Sequence, residues 1–311
     1  MKIAILDDYQ NAVKNLTCFS ILNGFDVTIF TDTPSSIDEL AYRLKPFDAL
    51  VLIRERTIIN EALLAQLPAL KVISQTGKIS NHIDVAACEK YGVTILEGVG
   101  SPTAPAELCW ALVMAASRHL VPYALNLKSG QWQQSGLGLD RTLSGLTLGI
   151  WGYGRIGQMM ATYAKTFGMS VLVWGSQQSR DKALNDGFHA ASSKEAFFRA
   201  CDVLSLHLRL NDATRACVTL QDLLLMKADA LLVNISRAEL IEPSALLQSL
   251  KAGHPGFAAL DVFESEPVNT DTELLQLPNV LGTPHLGYVE KNSYELYFRA
   301  AFENIVSYSK A

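Results

Sequence analysis

Short apolar runs alternate with stretches of helical period along nearly the whole chain, and the runs fall into two strings. The first string predicts strands at KIAIL (2–6), DVTIF (26–30), ALVLI (49–53), KVISQ (71–75) and VTIL (93–96). Helical stretches separate them, such as SSIDELAYRL (35–44), capped by Ser35 or Ser36, and IDVAACEKY (83–91). The second string predicts strands at LTLGIW (146–151), SVLVW (170–174), VLSLHL (203–208), ALLVNI (230–235), GFAAL (256–260) and NVLG (279–282). Helices approach these too, for example RIGQMMATYAKTF (155–167). Alternation of this kind implies an α/β fold of parallel sheets covered by helices on both faces.

Between the strings, PTAPAELCWALVMAASRHL (102–120) reads as one long helix. It is apolar all round, which predicts burial, and Pro105 sits in its first turn, where no N–H is needed. A polar, glycine-containing segment follows at SGQWQQSGLGLD (129–140). The last helix, EKNSYELYFRAAFENIVSYSK (290–310), can return to pack on the first string and make that domain discontinuous.

Composition narrows the class. The 311 residues are 49% hydrophobic and 18% charged, with net charge −5 and no basic block. That suits two globular domains and argues against nucleic acid as the main partner. The N-terminal apolar run ends at Asp7 and Asp8, too soon for a secretory signal. The longest uncharged apolar stretch, LCWALVMAA (108–116), is too short to span a bilayer, so no membrane partner is expected. Cys18, Cys88, Cys109, Cys201 and Cys217 are widely spaced, with no CxxC. They are expected as reduced, mostly buried thiols of a cytoplasmic protein without a metal site.

Strand, then Gly152-Tyr153-Gly154-Arg155-Ile156-Gly157, then helix, is the setting in which GxGxxG signals a bound dinucleotide. Gly152 permits the turn, Gly154 lets the backbone approach a pyrophosphate, and Gly157 lets helix pack on strand. The next strand should end near an acid that accepts from the ribose hydroxyls. Here VLVWGSQQSR (171–180) reads as a strand entering a polar loop, and its end is Trp174-Gly175-Ser176. With no carboxylate to repel a 2′-phosphate, NADP(H) is expected over NAD(H). Ser176 would donate to the phosphate, and Arg180 or Lys182 would pair with it. The other reading makes Arg180 a solvated loop charge beside weakly held NAD. Asp181, the nearest downstream acid, lies past the strand.

Ligands of open parallel sheets bind beyond the carboxyl ends of strands. Arg237 follows ALLVNIS, Glu266 follows GFAALDVFES, and His285 follows NVLGTP. Hydride transfer to a ketone needs a proton for its oxygen, which histidine can supply near neutrality. A nearby carboxylate orients the imidazole, and a guanidinium holds a 2-keto acid's carboxylate and polarises its carbonyl. By composition Glu264 is as plausible a partner as Glu266. His207 is expected at a strand end near the cofactor, structural rather than catalytic. Ile235, Ser236 and Asp261 end strands of the same string and are further cofactor candidates.

NISRAEL, ALDVFESEP and NVLGTPHLG, with GIWGYGRIG and the helix PAELCWALVMAASR, resemble the signature segments of the D-isomer-specific 2-hydroxyacid dehydrogenases. The similarity runs the length of the chain. It implies two doubly wound parallel-sheet domains with an intervening cleft. A flavodoxin-like substrate domain would span 1–99 plus 287–311, and a Rossmann-like NAD(P)-binding domain 100–286. The resemblance makes Arg237 the substrate ligand, His285 the acid/base and Glu266 its partner, since the family's acid directly precedes the proline of ExEP. QTGKISNHID (75–84) resembles the loop whose N–H groups hold the substrate carboxylate, around Gly77, Lys78 and Ile79. Arg54 in LIRERT resembles the substrate-side arginine. A homodimer through the cofactor domain is implied.

The chain departs from the family pattern at five places. Lys78 and Ile79 alter the substrate loop, Ala238 ends SRA, His207-Leu208-Arg209 replaces HxP, and Tyr288 ends HLGY. These bear on substrate identity more than on reaction type. The expected reaction is NAD(P)-dependent reduction of a small 2-keto acid, such as glyoxylate or hydroxypyruvate, to the D-2-hydroxy acid. Oxidation of 3-phosphoglycerate is the runner-up, with Arg54, Arg56 and Lys78 serving the phosphate. A cofactor-sensing binding protein, such as a corepressor, is the reading from another class. Formate oxidation is disfavoured, because that branch resembles a Gln–His rather than a Glu–His pair.

Overall fold

The first five apolar runs become strands Lys2–Ile5 (β1), Asp26–Ile29 (β2), Ala49–Leu52 (β3), Val72–Gln75 (β4) and Thr94–Leu96 (β5). They form one wholly parallel sheet in the order β2-β1-β3-β4-β5, the flavodoxin-like order. Parallel strands are buried on both faces, which is why β3 and β4 have no exposed residue. On one face Leu50, Leu52 and Ile73 pack against Leu44, Leu63 and Ile83. The helix Ile37–Leu44 starts where the Ser36 hydroxyl accepts the Glu39 N–H. The C-terminal helix Lys291–Lys310 belongs to the same unit. The Ser74 hydroxyl donates to its Ala301 carbonyl (2.9 Å), and its Glu295 carboxylate accepts the N–H groups of Thr17 and Cys18.

The remaining six runs become strands too, joined by one short strand that no run predicted, His189–Ala190: in chain order they are Thr147–Trp151 (β6), Ser170–Trp174 (β7), His189–Ala190 (β8), Val203–Leu206 (β9), Leu231–Asn234 (β10), Phe257–Leu260 (β11) and Val280–Gly282 (β12). They too are all parallel, in the order β12-β11-β10-β9-β6-β7-β8. Counted from β6, this is the Rossmann order with a seventh strand added, and the order reverses between β6 and β9. Ile150, Val173 and Met160 fill the core on one face; Phe197, Phe198 and Leu204 fill it on the other. The structure describes residues 1–310 and is a computed structural model. Its two compact units are Met1–Ser101 with the C-terminal segment from Val289, and Pro102–Tyr288.

Two sequence expectations change. The single helix over 102–120 is two helices, Thr103–Ser117 and Leu120–Lys128, bent by 63°. The break falls at His119, whose φ of 46° leaves the helical region while its buried ring packs 5.3 Å from Phe257. The first helix buries only one side, through Ala106, Cys109, Leu112, Val113 and Ser117, and leaves Ala111 exposed; the second has no buried residue. The expected loop after β7 is instead the helix Gln177–Asn185, capped by Ser176. No single described helix is long and apolar enough to cross a membrane. The five cysteines are unpaired, and all but Cys217 are buried.

Gly149 of β6 has no room for a side chain, since a Cβ there would lie 2.1 Å from Cys201 Sγ and 3.0 Å from Phe197. Gly149→Ala should therefore cost about 1–3 kcal/mol in urea denaturation through overpacking. Adding Cys201→Ala should return part of that loss, whereas additive losses would show that the two atoms do not compete.

Candidate active site

The glycine loop leaves β6 at its carboxyl end. Gly152 has φ of 100°, and a Cβ there would lie 2.7 Å from the His207 carbonyl oxygen. A Cβ at Gly157 would lie 2.4 Å from the Gly152 carbonyl, so only glycine lets the helix Arg155–Thr166 sit this close to the turn. Gly154 faces open space and caps that helix with no side-chain hydrogen bond. The uncapped first-turn N–H groups and the helix dipole therefore fit an anion such as a dinucleotide pyrophosphate. Arg155 is exposed beside them, while Ile156 packs inward. Tyr153 differs from its neighbours: its ring is buried and its hydroxyl donates to Asp186 (3.0 Å).

After β7, Gly175 turns at φ of 145° and the exposed Ser176 hydroxyl accepts the Ser179 N–H (3.2 Å). Arg180 folds back one helical turn. Its guanidinium lies 4.8 Å from the Trp174 ring centroid and donates to Gln177 Oε1 (2.8 Å), and its buried Nε has no partner. Lys182 is committed elsewhere, to Asp186 at 3.0 Å. The end of β7 thus presents a hydroxyl, a helix N-terminus and a stacked guanidinium, with no carboxylate from Trp174 to Arg180.

The ends of β9 to β12 carry the remaining candidates. Past β10, Asn234 shapes the turn: its Nδ2 donates to the Arg237 carbonyl (2.8 Å) and its Oδ1 accepts the Ser236 N–H (3.0 Å). The Ser236 hydroxyl donates to the Leu206 carbonyl (2.7 Å), tying this turn to β9, and Ile235 is buried. Past β12, His285 Nδ1 lies 2.6 Å from Glu266 Oε2, and Glu266 Oε1 accepts the Phe263 N–H (2.9 Å). Burial alone would raise the Glu266 carboxyl. The hydrogen bond and charge of His285, the Phe263 N–H and the charge of Arg237 outweigh it and hold the carboxyl below its usual value. A carboxylate at Nδ1 makes that nitrogen the donor and leaves Nε2 for chemistry. Glu266, not Glu264, is the acid bonded to His285. The Tyr288 ring stands edge-to-face with His285 at 5.5 Å.

Asp261 is buried and His207 half-buried. Asp261 Oδ1 accepts from the Thr283 hydroxyl (2.7 Å) and the Leu286 N–H (2.7 Å), and its Oδ2 accepts the Gly287 N–H (2.8 Å). Those donors all lie around His285, a role that no local sequence signal announces. His207 Nε2 lies 2.9 Å from the Ser205 hydroxyl, and burial pushes its imidazole down to about 4.

In the other unit, Arg54 follows β3 with φ of 56°. Its N–H donates to Thr76 Oγ1 (3.0 Å) and its carbonyl accepts from Gln75 Nε2 (2.6 Å). A Cβ at Gly77 would lie 2.1 Å from Arg54 Nη1, so the guanidinium lies against that glycine. Glu97 binds the next two residues, taking Lys78 Nζ at 2.6 Å and the Ile79 N–H at 2.9 Å. The loop's cation and one of its N–H groups are therefore already engaged within this unit.

Residues 110–287 match the family described as D-isomer specific 2-hydroxyacid dehydrogenase, NAD binding domain. A glyoxylate reductase of Aeropyrum pernix is 33% identical over 92% of this chain and 87% of its own. A D-3-phosphoglycerate dehydrogenase of Methanocaldococcus jannaschii is 35% identical over 80% of this chain, a match spanning 47% of that longer protein. The crystal structure of a phosphoglycerate oxidoreductase from Vibrio cholerae o395 superposes with a TM-score of 0.98 at 64% identity, covering 100% of this chain and 99% of that one. A nicotinamide cofactor and a dehydrogenase acting on CH–OH donors follow from these matches together with the glycine loop. The chain belongs to the D-isomer specific 2-hydroxyacid dehydrogenase family.

Proposed function

We propose that this chain reduces a small 2-keto acid of the glyoxylate or hydroxypyruvate type to the D-2-hydroxy acid, with Arg237, Glu266 and His285 as its catalytic residues. The observation that carries the reading is the 2.6 Å His285–Glu266 pair, with the charge of Arg237 felt at the same carboxylate. When bound, the nicotinamide supplies the hydride. His285 delivers its Nε2 proton to the substrate oxygen, and Glu266 stabilises the imidazolium and keeps Nδ1 protonated throughout. Arg237 holds the substrate carboxylate through charge-assisted bonds and polarises the carbonyl. Arg54, Gly77, Lys78 and Ile79 are assigned to substrate recognition. The names of the glyoxylate reductase and of a Thermotoga maritima hydroxypyruvate reductase, 32% identical over 80% of this chain, support this substrate class.

Oxidation of 3-phosphoglycerate is the second reading, supported by the Vibrio cholerae and Methanocaldococcus jannaschii matches and by Arg54 and Arg56 after β3. The third cation near this site, Lys78, pairs with Glu97 at 2.6 Å. For the cofactor, NADP(H) is preferred over NAD(H), with Ser176 and the stacked Arg180 receiving the 2′-phosphate. Gly152 to Gly157, Gly175, His207, Ile235 and Ser236 line the rest of the cofactor site, and Asp261 holds its floor. A homodimer through the cofactor domain is supported by Leu125, Leu127, Trp132 and Leu139, all more than half exposed. Leu125 also lines a cavity of about 260 Å³ with Pro122, Leu137, Phe257 and Leu277. The unpaired cysteines support a cytoplasmic location.

With a panel of 2-keto acids followed at 340 nm, His285→Ala and Arg237→Ala should each lower kcat/KM by about 10²–10⁴-fold. Activity within a few-fold of wild type would overturn their roles, and turnover of 3-phosphoglycerate alone would favour the second reading. Glu266 has a lowered carboxyl, so its ionised partnership is present above pH 4.5 and is lost only as pH falls through the lowered value. Glu266→Gln should therefore depress kcat across the neutral range by about 10–100-fold, where wild type shows no loss from this group. Arg180→Ala should raise KM for NADPH by about tenfold or more and leave that for NADH unchanged. Equal effects on both cofactors would contradict the phosphate role. Sedimentation should give twice the chain mass, and Trp132→Asp with Leu139→Asp should shift it to the monomer.

A further inference from the structure

Ser205 lies on β9 and His207 two residues on, so their side chains share a face. His207 Nε2 is 2.9 Å from Ser205 Oγ, and Ser205 Oγ is 3.3 Å from Cys109 Sγ of the helix Thr103–Ser117. Ser205 and Cys109 are wholly buried. The chain of contacts ends at His207 Nδ1, a buried nitrogen with no partner. Buried polar atoms are rarely left so, and an orphan at a ligand crevice points to the ligand.

The proton order in this chain follows from the donor inventory. Ser205 has one hydroxyl proton. An imidazole nitrogen accepts it well and a thiol sulfur poorly, so it goes to His207 Nε2. The thiol then gives its own proton to Ser205 Oγ. Burial keeps it there, pushing Cys109 up to about 12, and keeps His207 neutral by pushing it down to about 4. With Nε2 accepting, the one ring proton sits on Nδ1. The orphan nitrogen is therefore a donor and needs an acceptor.

Position selects which part of a ligand that acceptor belongs to. β9 adjoins β6 where the strand order reverses, and the His207 carbonyl is the atom that a Cβ at Gly152 would strike. β7, whose end receives the adenosine ribose, lies on the opposite side of β6. His207 therefore stands on the nicotinamide side of the glycine loop.

We propose that Cys109 and Ser205 lock His207 in its Nδ1–H tautomer, making it a fixed hydrogen-bond donor to an oxygen in the nicotinamide–ribose half of the cofactor. Ser205 and Cys109 are then positioning residues and His207 a binding residue. The inference rests on the cofactor placement proposed above and adds to it a specific donor and the relay that sets it.

The test uses the full chain. In ¹⁵N-histidine NMR, the His207 signals should show a protonated Nδ1 and a bare Nε2 before any cofactor is added, and Ser205→Ala should mix the tautomers. Fluorescence titration with NADPH should show Ser205→Ala and His207→Phe each weakening binding about tenfold, with the double variant little worse than either. Ser205→Thr and Cys109→Ser, which retain the hydrogen bonds, should bind near wild type. Adenosine 2′,5′-bisphosphate, which lacks the nicotinamide half, should bind all variants equally, a result that general loss of structure could not produce. An Nε2–H tautomer in wild type, unchanged NADPH binding by Ser205→Ala, or an equal loss with the fragment would each overturn the proposal. Wild type that binds neither NADPH nor NADH would overturn the cofactor placement and the donor role together. Normal wild-type binding with an indifferent Ser205→Ala overturns only this inference.

Discussion

The turn that carries His285 depends on one buried carboxylate. Asp261 directly follows β11 with no solvent exposure and gathers three donors: the Thr283 hydroxyl and the N–H groups of Leu286 and Gly287. A charge so placed is costly unless compensated. Burial pushes the carboxyl up, and the donors together with the charge of His285 pull against it. The donors flank His285, which is thereby held at φ of 52°, a left-handed backbone that a non-glycine residue keeps only when its surroundings determine it. The fit is close at Gly287, where a Cβ would stand 3.3 Å from Asp261 Oδ2.

Strand register delivers that carboxylate. β11 and β12 pair in parallel with Leu260 opposite Gly282, so Asp261 and Thr283 emerge side by side. The Thr283 N–H donates to the Leu260 carbonyl (2.8 Å) and extends the ladder by one residue into the site. A slip of one residue would turn every side chain over and separate carboxylate from hydroxyl. The same logic runs across the sheet. The Ser236 hydroxyl ties the end of β10 to the Leu206 carbonyl of β9, and Gly152 brings β6 against the His207 carbonyl. The strand ends are therefore stitched to one another by short local bonds, and the candidate catalytic side chains rise from a floor whose spacing the ladder sets.

The strands, their parallel pairing and the glycine turn were legible because their signals are local: short apolar runs, intervening helical periods, and glycines between strand and helix. What escaped depends on partners distant in sequence or on a cap that looks like a loop. SQQSR reads as a polar loop, yet Ser176 caps the helix from Gln177, and that helix carries Arg180 back onto Trp174. The signal was there, a serine followed by a run without glycine or proline, but polar composition outweighed it. The break at His119 does carry a local mark: Pro122, in the first turn of the second helix, has no N–H for the Arg118 carbonyl and its ring clashes with it, but the continuous apolar run outweighed that signal. The capture of Lys78 and Ile79 by Glu97 spans 19 and 18 residues and leaves no periodic trace.

The two histidines at this sheet end show how one fold separates roles by environment. His285 has a carboxylate at 2.6 Å and Arg237's charge nearby, an arrangement that can receive and return a proton without leaving an uncompensated charge. His207 has the Ser205 hydroxyl at 2.9 Å, itself in contact with the Cys109 thiol, and desolvation disfavours its cation, pushing the imidazole down to about 4. Near neutral pH the second ring is thus a neutral dipole of fixed sense. If the partners were exchanged, a carboxylate behind His207 would favour charge on a ring whose surroundings disfavour it, and a hydroxyl behind His285 would leave its imidazolium unsupported in the proposed proton transfer. The proton-transfer role proposed for His285 therefore matches the histidine with the anion behind it.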